Sequence, residues 1–440
     1  MKKLVLVLLL AIAGCGGGGS EIVTPASPTS PTSPTLNVEC SITPRLYGEI
    51  TPPALYKGDF VIPTSNLRLN NSIVRSMDLK DLDPWWAKPS INTCTNKELY
   101  LQNVFIEHLN RMQKLGVEQI WVYNYGVWDD FSKSIWSVAE SDYIIPNNTL
   151  KVIVQEAQKR NIKVFLSWQM NNSDKVSAWN SLDPSATWSY DKLSKENLLK
   201  IMDSYKIVIA SQAKFAQSIG VSGMAVDLGV FNPPVLQSNR EFKEIYVTKM
   251  VNIIDDVKAV FKGTLVYGQY DSIIDERIIS KIDRVRVMLW LGGQTPLNQL
   301  SVDSFKKDTM RYIEWFYLKY SLALNGKYQN LPIEWLLYAQ GTQEFYSKNG
   351  YLEDSFCFNI CEQHQLKTDF SIQAIAIEGA LQAISVQPFF TSGAVSISNY
   401  WHTDDLTPTS INGNTTFPNI SSSIRNKPAE AIVKMWYTKI

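Results

Sequence analysis

The sequence predicts a (β/α)8 barrel, the α/β class of TIM barrels. Three observations carry that prediction. Eight short β-branched or aromatic runs recur from about residue 69 onward, helix-length amphipathic stretches lie between them, and no GxGxxG or GxxxxGKS turn follows any run. The alternation points to repeated βα units, their number to a closed barrel, and the missing glycine-rich turn speaks against a nucleotide-binding open sheet.

The strand candidates in order are SIVRSMD (72–78), EQIWVYNY (118–125), KVFLSWQ (163–169), GMAVDL (223–228), TLVYGQYD (264–271), RVRVMLW (284–290), EWLLYAQ (334–340) and AVSISNYW (394–401). Three intervening helices are legible in detail: NVFIEHLNRMQKLG, NTLKVIVQEAQKRN and LLKIMDSYKIVIASQAKFAQSIG. Each repeats apolar residues at helical spacing and stops at Gly116, Asn161 or Gly220, residue types that tolerate the left-handed conformation of a helix end.

The chain has 440 residues, 45% hydrophobic and 19% charged, enough apolar material for a large core. Lys plus Arg and Asp plus Glu are equal at 42 each. Without a basic excess, nucleic acid is not an expected partner. The N-terminus reads as a targeting segment: Lys2 and Lys3 precede an apolar run, Leu4 to Ile12, too short to span a bilayer. The run ends Ile12-Ala13-Gly14-Cys15, which resembles a bacterial lipobox; the plainer reading is an ordinary signal peptide with a chance cysteine. The expected organisation is a signal peptide over 1–14, a lipidated Cys15 with a linker over 15–35, and a barrel domain over 36–440. In the linker 16 of 20 residues from Gly16 to Thr35 are Gly, Ser, Thr or Pro, a composition that forms a tether and no core. A membrane partner through the lipid is therefore expected, with the outer membrane favoured because glycine, not aspartate, follows Cys15.

Four further cysteines, Cys40, Cys94, Cys357 and Cys361, suit an oxidising compartment. Four allow three pairings, and sequence proximity favours Cys40–Cys94 with Cys357–Cys361. With three His in the chain and no CxxC or HExxH spacing, no metal is expected, nor any other cofactor.

A barrel of this type builds its site at the C-terminal ends of its strands. Those ends are polar or aromatic here: Asp78; Tyr123 and Tyr125; Trp168 and Gln169; Asp227; Gln269, Tyr270 and Asp271; Trp290; Gln340 with nearby Glu344; and Trp401. Carboxylates, amides and flat rings on one face suit a sugar, whose hydroxyls take paired hydrogen bonds and whose C–H faces stack on aromatics. Glycoside hydrolysis needs two carboxyl groups across the scissile bond. Asp227 leads, because a carboxylate ending the apolar run AVDLGVF is costly to bury without a role; otherwise it holds the following loop. Asp271 and Glu344 compete as its partner. Asp271 could instead cap a helix, and Glu344 could be a solvated loop residue. Asp78 is either a substrate-hydroxyl acceptor or a loop anchor, and Trp290 and Trp401 are either stacking platforms or lids on the core. No Ser/His/Asp or Cys/His spacing accompanies the histidines.

On several segments the chain resembles glycoside hydrolase family 113, retaining (β/α)8 endo-β-mannanases. These are NNTLKVIVQEAQKRNIKVFLSWQ, SYKIVIASQAKFAQSIGVSGMAV, LVYGQYD, KIDRVRVMLW, FSIQAIAIEGAL and IRNKPAEAIVKMWY, spread over about residues 70–437. The resemblance implies the barrel fold and a carbohydrate substrate. The departures are at the chemistry. Where the family carries an acid/base glutamate at the fourth strand, this chain has Gly229, with Asp227 two residues earlier. At the family's nucleophile position, LLYAQGTQ offers Gln340. An amide cannot form a glycosyl ester, so the relatives' retaining mechanism does not carry over. The expected function is an envelope-anchored carbohydrate-active protein, a glycosidase using Asp227 with Asp271 or Glu344; the alternative is a catalytically silent glycan-binding barrel.

Overall fold

In the computed structural model, residues 67–80, 97–130, 135–137, 145–172, 193–228, 235–269, 274–292, 296–323, 332–347, 369–388, 390, 392–401, 410–411, 415–416, 422–425 and 427–439 are described. Cys15, the four later cysteines and the expected signal peptide and linker lie outside them.

Eight parallel strands close into a barrel. They are β1 (Ile73–Lys80), β2 (Gln119–Asp130), β3 (Lys163–Asn172), β4 (Gly223–Ala225), β5 (Thr264–Gln269), β6 (Arg284–Trp290), β7 (Ile333–Tyr338) and β8 (Gly393–Trp401). Each pairs with its sequence neighbour, and β8 pairs with β1 to complete the ring. A short strand, Ile135–Ser137, folds back antiparallel on the end of β2. All eight strand candidates fall on these strands, and the barrel expected from the sequence is the fold.

The helices form the outer layer: α1 (Lys97–Leu115), α2 (Asn147–Lys159), α3 (Lys195–Ile219), α4 (Arg240–Val260), α5 (Glu276–Ile279), α6 (Val302–Ala323), α7 (Phe370–Ser385) and α8 (Pro428–Tyr437). The chain leaves α1, α2 and α3 through Gly116, Asn161 and Gly220, at φ of +79°, +57° and +81°. These are the stops expected from sequence, and the left-handed backbone is their reason. α8 docks by specific bonds. The Tyr437 hydroxyl donates to the carbonyls of Ser76 and Val395, Trp436 Nε1 donates to Glu378 of α7, and Glu430 accepts two bonds from Arg111 of α1. The last helix thus ties both strands of the closing seam to its neighbours.

Most apolar burial lies between strands and helices, and the barrel interior is different. Successive side chains of a strand face opposite ways, so the sequence RVRVMLW turns Val285, Val287 and Leu289 toward the helices and Arg284, Arg286, Met288 and Trp290 inward. The two inward arginines meet Asp78 of β1 and Glu334 of β7. Arg286 bonds Asp78 and the Tyr123 hydroxyl and lies 3.3 Å from Glu334; Arg284 reaches Glu334 and Gln119 at 3.0 Å. Trp121 Nε1 also donates to Glu334, at 2.5 Å, and Ser396 to Asp78, at 2.8 Å. In the other half of the interior Trp121, Tyr123, Phe165, Ala225 and Val266 pack together, with Trp121 and Tyr123 turning their polar atoms to the charges. Arg286 joins the halves by lying 4.4 Å over the Trp121 ring.

Two arginines and two carboxylates cancel in charge, but each was taken out of water, so the cluster holds only while every partner is present. Arg286→Met should therefore destabilise the fold by roughly 3–5 kcal/mol in urea denaturation, because it leaves the buried Asp78 carboxylate without its arginine while Glu334 keeps Arg284; a loss under about 1 kcal/mol would contradict the role given to the cluster.

Candidate functional site

The C-terminal end of the barrel is where the interior gives way to groups with ligand-binding chemistry. β4 is short, and Asp227 stands two residues past Ala225, in register with the inward positions Gly223 and Ala225. Its carboxylate accepts the Gly268 backbone N–H at 2.6 Å, while its carbonyl accepts the Tyr205 hydroxyl at 3.0 Å. Val226 N bonds Val266 O, which carries the β4–β5 pairing to within one residue of Asp227. Asp227 is 7% exposed. Behind it the hydroxyls of Tyr246 and Tyr267 pair at 2.7 Å. Burial pushes the phenols of Tyr205, Tyr246 and Tyr267 up, and the nearby Asp227 charge adds to this, so all three remain neutral donors or acceptors.

The absence of a side chain at Gly268 gives that carboxylate its place. A Cβ there would lie 3.1 Å from Asp227 Oδ2, closer than a carbon and oxygen comfortably approach.

Two and three strands further round the ring, β6 and β7 end on aromatics. Trp290 and Tyr338 are register partners, and their rings stack at 4.5 Å with 5° between planes; Phe345 lies against both, at 5.3 and 5.8 Å. Gln340 follows on β7's inward face. Its side-chain amide donates to the Tyr338 hydroxyl at 2.9 Å, and its carbonyl accepts from Tyr346 at 3.0 Å.

The structure brings Asp227, Trp290 and Gln340 to the same end of the barrel, with Gln340 itself 2% exposed and turned to Tyr338. Three other expected ligand contacts are corrected. Asp78 is not the last residue of its strand, since β1 runs to Lys80, and it is neither a sugar acceptor nor a loop anchor: it is 1% exposed and engaged by Arg286, Tyr123 and Ser396. Burial pushes its carboxyl up, with Arg286 and the Tyr123 hydrogen bond opposing. Tyr123 belongs to the same buried cluster, donating to Asp78 at 2.5 Å. Trp168 lies on the opposite face of β3 from Phe165 and Ser167, buried among core residues under the helices. Tyr125 and Gln169 are register partners on β2 and β3, Gln269 ends β5, Trp401 ends β8, and Glu344 falls in the short helix Gln343–Ser347; the side chains of these five lie outside the described residues, as do Tyr270 and Asp271 entirely.

Sequence reading passed over Tyr338, Gly268 and the two inward arginines. The signal was present for the arginines: alternation in RVRV places both on one face of a strand otherwise buried. Tyr338 could have been found by the same count back from Gln340. Nothing in the sequence marks Gly268, whose role depends on what the neighbouring strand presents to it.

No family model and no curated protein matches the chain. Among solved structures it is similar to a GH113 β-1,4-mannanase, at 12% identity and a TM-score of 0.55, over 83% of this chain and 99% of that one. It is likewise similar to the GH113 β-mannanase of Alicyclobacillus acidocaldarius, at 12% identity and a TM-score of 0.54, over 83% of this chain and 97% of the other. At these identities the likeness establishes the shared eight-stranded barrel, the fold that the sequence segments had suggested.

Gly268→Ala should move the Asp227 carboxylate and lower stability by about 1–3 kcal/mol, as overpacking does. Thermal denaturation and a crystal structure of the variant check this; an unmoved Asp227 and an unchanged Tm would contradict it.

Proposed function

We propose that the chain is a carbohydrate-active envelope lipoprotein whose barrel mouth binds an oligo- or polysaccharide and hydrolyses a glycosidic bond, with Asp227 as one of two carboxyl groups. The observation that carries this reading is a fixed inward carboxylate at the end of β4, at the same mouth as the stacked Trp290–Tyr338 pair. The fold shared with enzymes described as mannanases supports it. Hydrolysis of a glycoside needs one carboxyl to protonate the leaving oxygen and another to attack the anomeric carbon or to activate water. The Gly268 N–H holds Asp227 in one orientation, which suits either role, and Asp271, before Glu344, is the partner proposed. Trp290 presents the flat apolar surface that a pyranose C–H face requires.

A second reading, a glycan-binding barrel without turnover, is favoured by Gln340. The inward position closing β7 is an amide tied to Tyr338, and an amide neither attacks an anomeric carbon nor carries a glycosyl ester.

The deciding experiment pairs a glycan array with an assay for new reducing ends. For a hydrolase, Asp227→Asn should keep folding and binding while turnover falls by roughly 10²–10⁴-fold, the usual contribution of a positioned acid or base. Undiminished turnover would sink the assignment, and binding without any turnover by the wild type would select the second reading.

The anchor is proposed from Cys15 and the tether behind it, and no helix among the described residues is long and apolar enough to cross a membrane. Cys15→Ala should move the chain from the membrane pellet to the soluble fraction of a bacterial host. Retention in the pellet would contradict lipidation.

A further inference from the structure

The segment that leaves β7 holds Gln340, buried against Tyr338, at the mouth end of the barrel, and three successive carbonyls of that segment are each held by a donor. Ala339 O accepts Gln373 Nε2 at 3.0 Å, Gln340 O accepts the Tyr346 hydroxyl at 3.0 Å, and Gly341 O accepts Asp369 N at 2.8 Å. Asp369 does double duty: one carboxylate oxygen caps α7 by accepting from Ser371 N and Ile372 N, and the other accepts from the Gln343 amide at 3.0 Å.

Gln373 is the least expected member. It lies in the first turns of α7 in the run FSIQAIAIEGAL, 0% exposed, between the buried Ile372 and Ala374. An amide buried in such surroundings is destabilising unless its polar atoms are used. Both hydrogens of its nitrogen are used, one on Ala339 O and the other on Ser422 O, at 3.1 Å, in the segment that leads to α8, while its Oε1 has no hydrogen-bond partner among the described residues. One side chain thus ties the end of β7 to the approach of the last helix, one residue from Gln340 and with Tyr338 on the other side of Ala339.

We infer that Gln373 is a positioning residue for the glycan-binding mouth, acting through the β7 end to fix Gln340 and the Tyr338 hydroxyl it contacts. This rests on the carbohydrate reading above. A bound ligand that needs both groups in one geometry meets them already ordered, so the entropy of ordering the segment is not spent on binding. A purely structural Gln373 would also satisfy two buried carbonyls, and the two roles differ in what a ligand senses.

The test uses the full chain and a glycan that the wild type retains on an array. Gln373→Met keeps length and apolar volume and removes both donors. Expected is faster amide exchange confined to 339–343 in hydrogen-exchange mass spectrometry, with affinity weakened on the order of tenfold. In a Gln340→Ala background the same change should weaken affinity little further, because the group it positions is already gone. Where Gln373→Met does not fold, Tyr346→Phe removes a single hydrogen bond from the same segment and is expected to show the same coupling. Unchanged exchange at 339–343, wild-type affinity in Gln373→Met, or losses that simply add in the double variant would each overturn the inference while the carbohydrate reading stands. A wild type that retains no glycan would remove both.

Discussion

The arginine–carboxylate cluster inside the barrel is the constraint on which the rest of the fold depends. Arg286 of β6 bonds Asp78 of β1 and Tyr123 of β2 and approaches Glu334 of β7, while Ser396 of β8 closes on Asp78. Five of eight strands thus present groups to one set of charges. A one-residue slip of any of them would turn its polar group toward the helices and leave a buried charge unpaired, so the cluster specifies register more strongly than an apolar filling could. Whether it adds net stability is a separate matter, because desolvating four ionised groups offsets much of their attraction.

With the floor fixed this way, the mouth above it is free to carry chemistry. Gly268 is the register partner of Arg286, so the position that bares the Asp227 carboxylate adjoins the cluster on the next strand. β6 shows the same division along its own length: Arg284 and Arg286 belong to the floor, while Met288 and Trp290, on the same face, lead to the mouth. The proposed site thus lies past the row of interior side chains that satisfy one another, at the end where barrels of this type carry their sites.

The barrel was legible in the sequence because its strand and helix signals agree at every step. Short β-branched runs mark the strands, and Gly116, Asn161 and Gly220 mark helix ends by a backbone conformation few other residues adopt without strain. The site was legible only in part. Asp227, Trp290 and Gln340 could be placed at the C-terminal end of the barrel because they lie at the ends of inward-facing runs. Trp168 was misplaced because the end of a run was weighed without its face, and a single residue's offset separates ligand from core. Asp78 and Tyr123 were misplaced for another reason: their engagement depends on Arg286, more than 160 residues away, and no local pattern announces such a partner.

The central claim, that a glycan occupies the mouth beside Asp227 and Trp290, is tested most directly by a crystal structure of the chain with an oligosaccharide chosen by array binding. The account predicts a pyranose ring against the Trp290–Tyr338 pair, with a sugar or glycosidic oxygen within hydrogen-bonding distance of the Asp227 carboxylate. An oligosaccharide bound at the opposite end of the barrel, or on the helical exterior with the mouth unchanged, would contradict it.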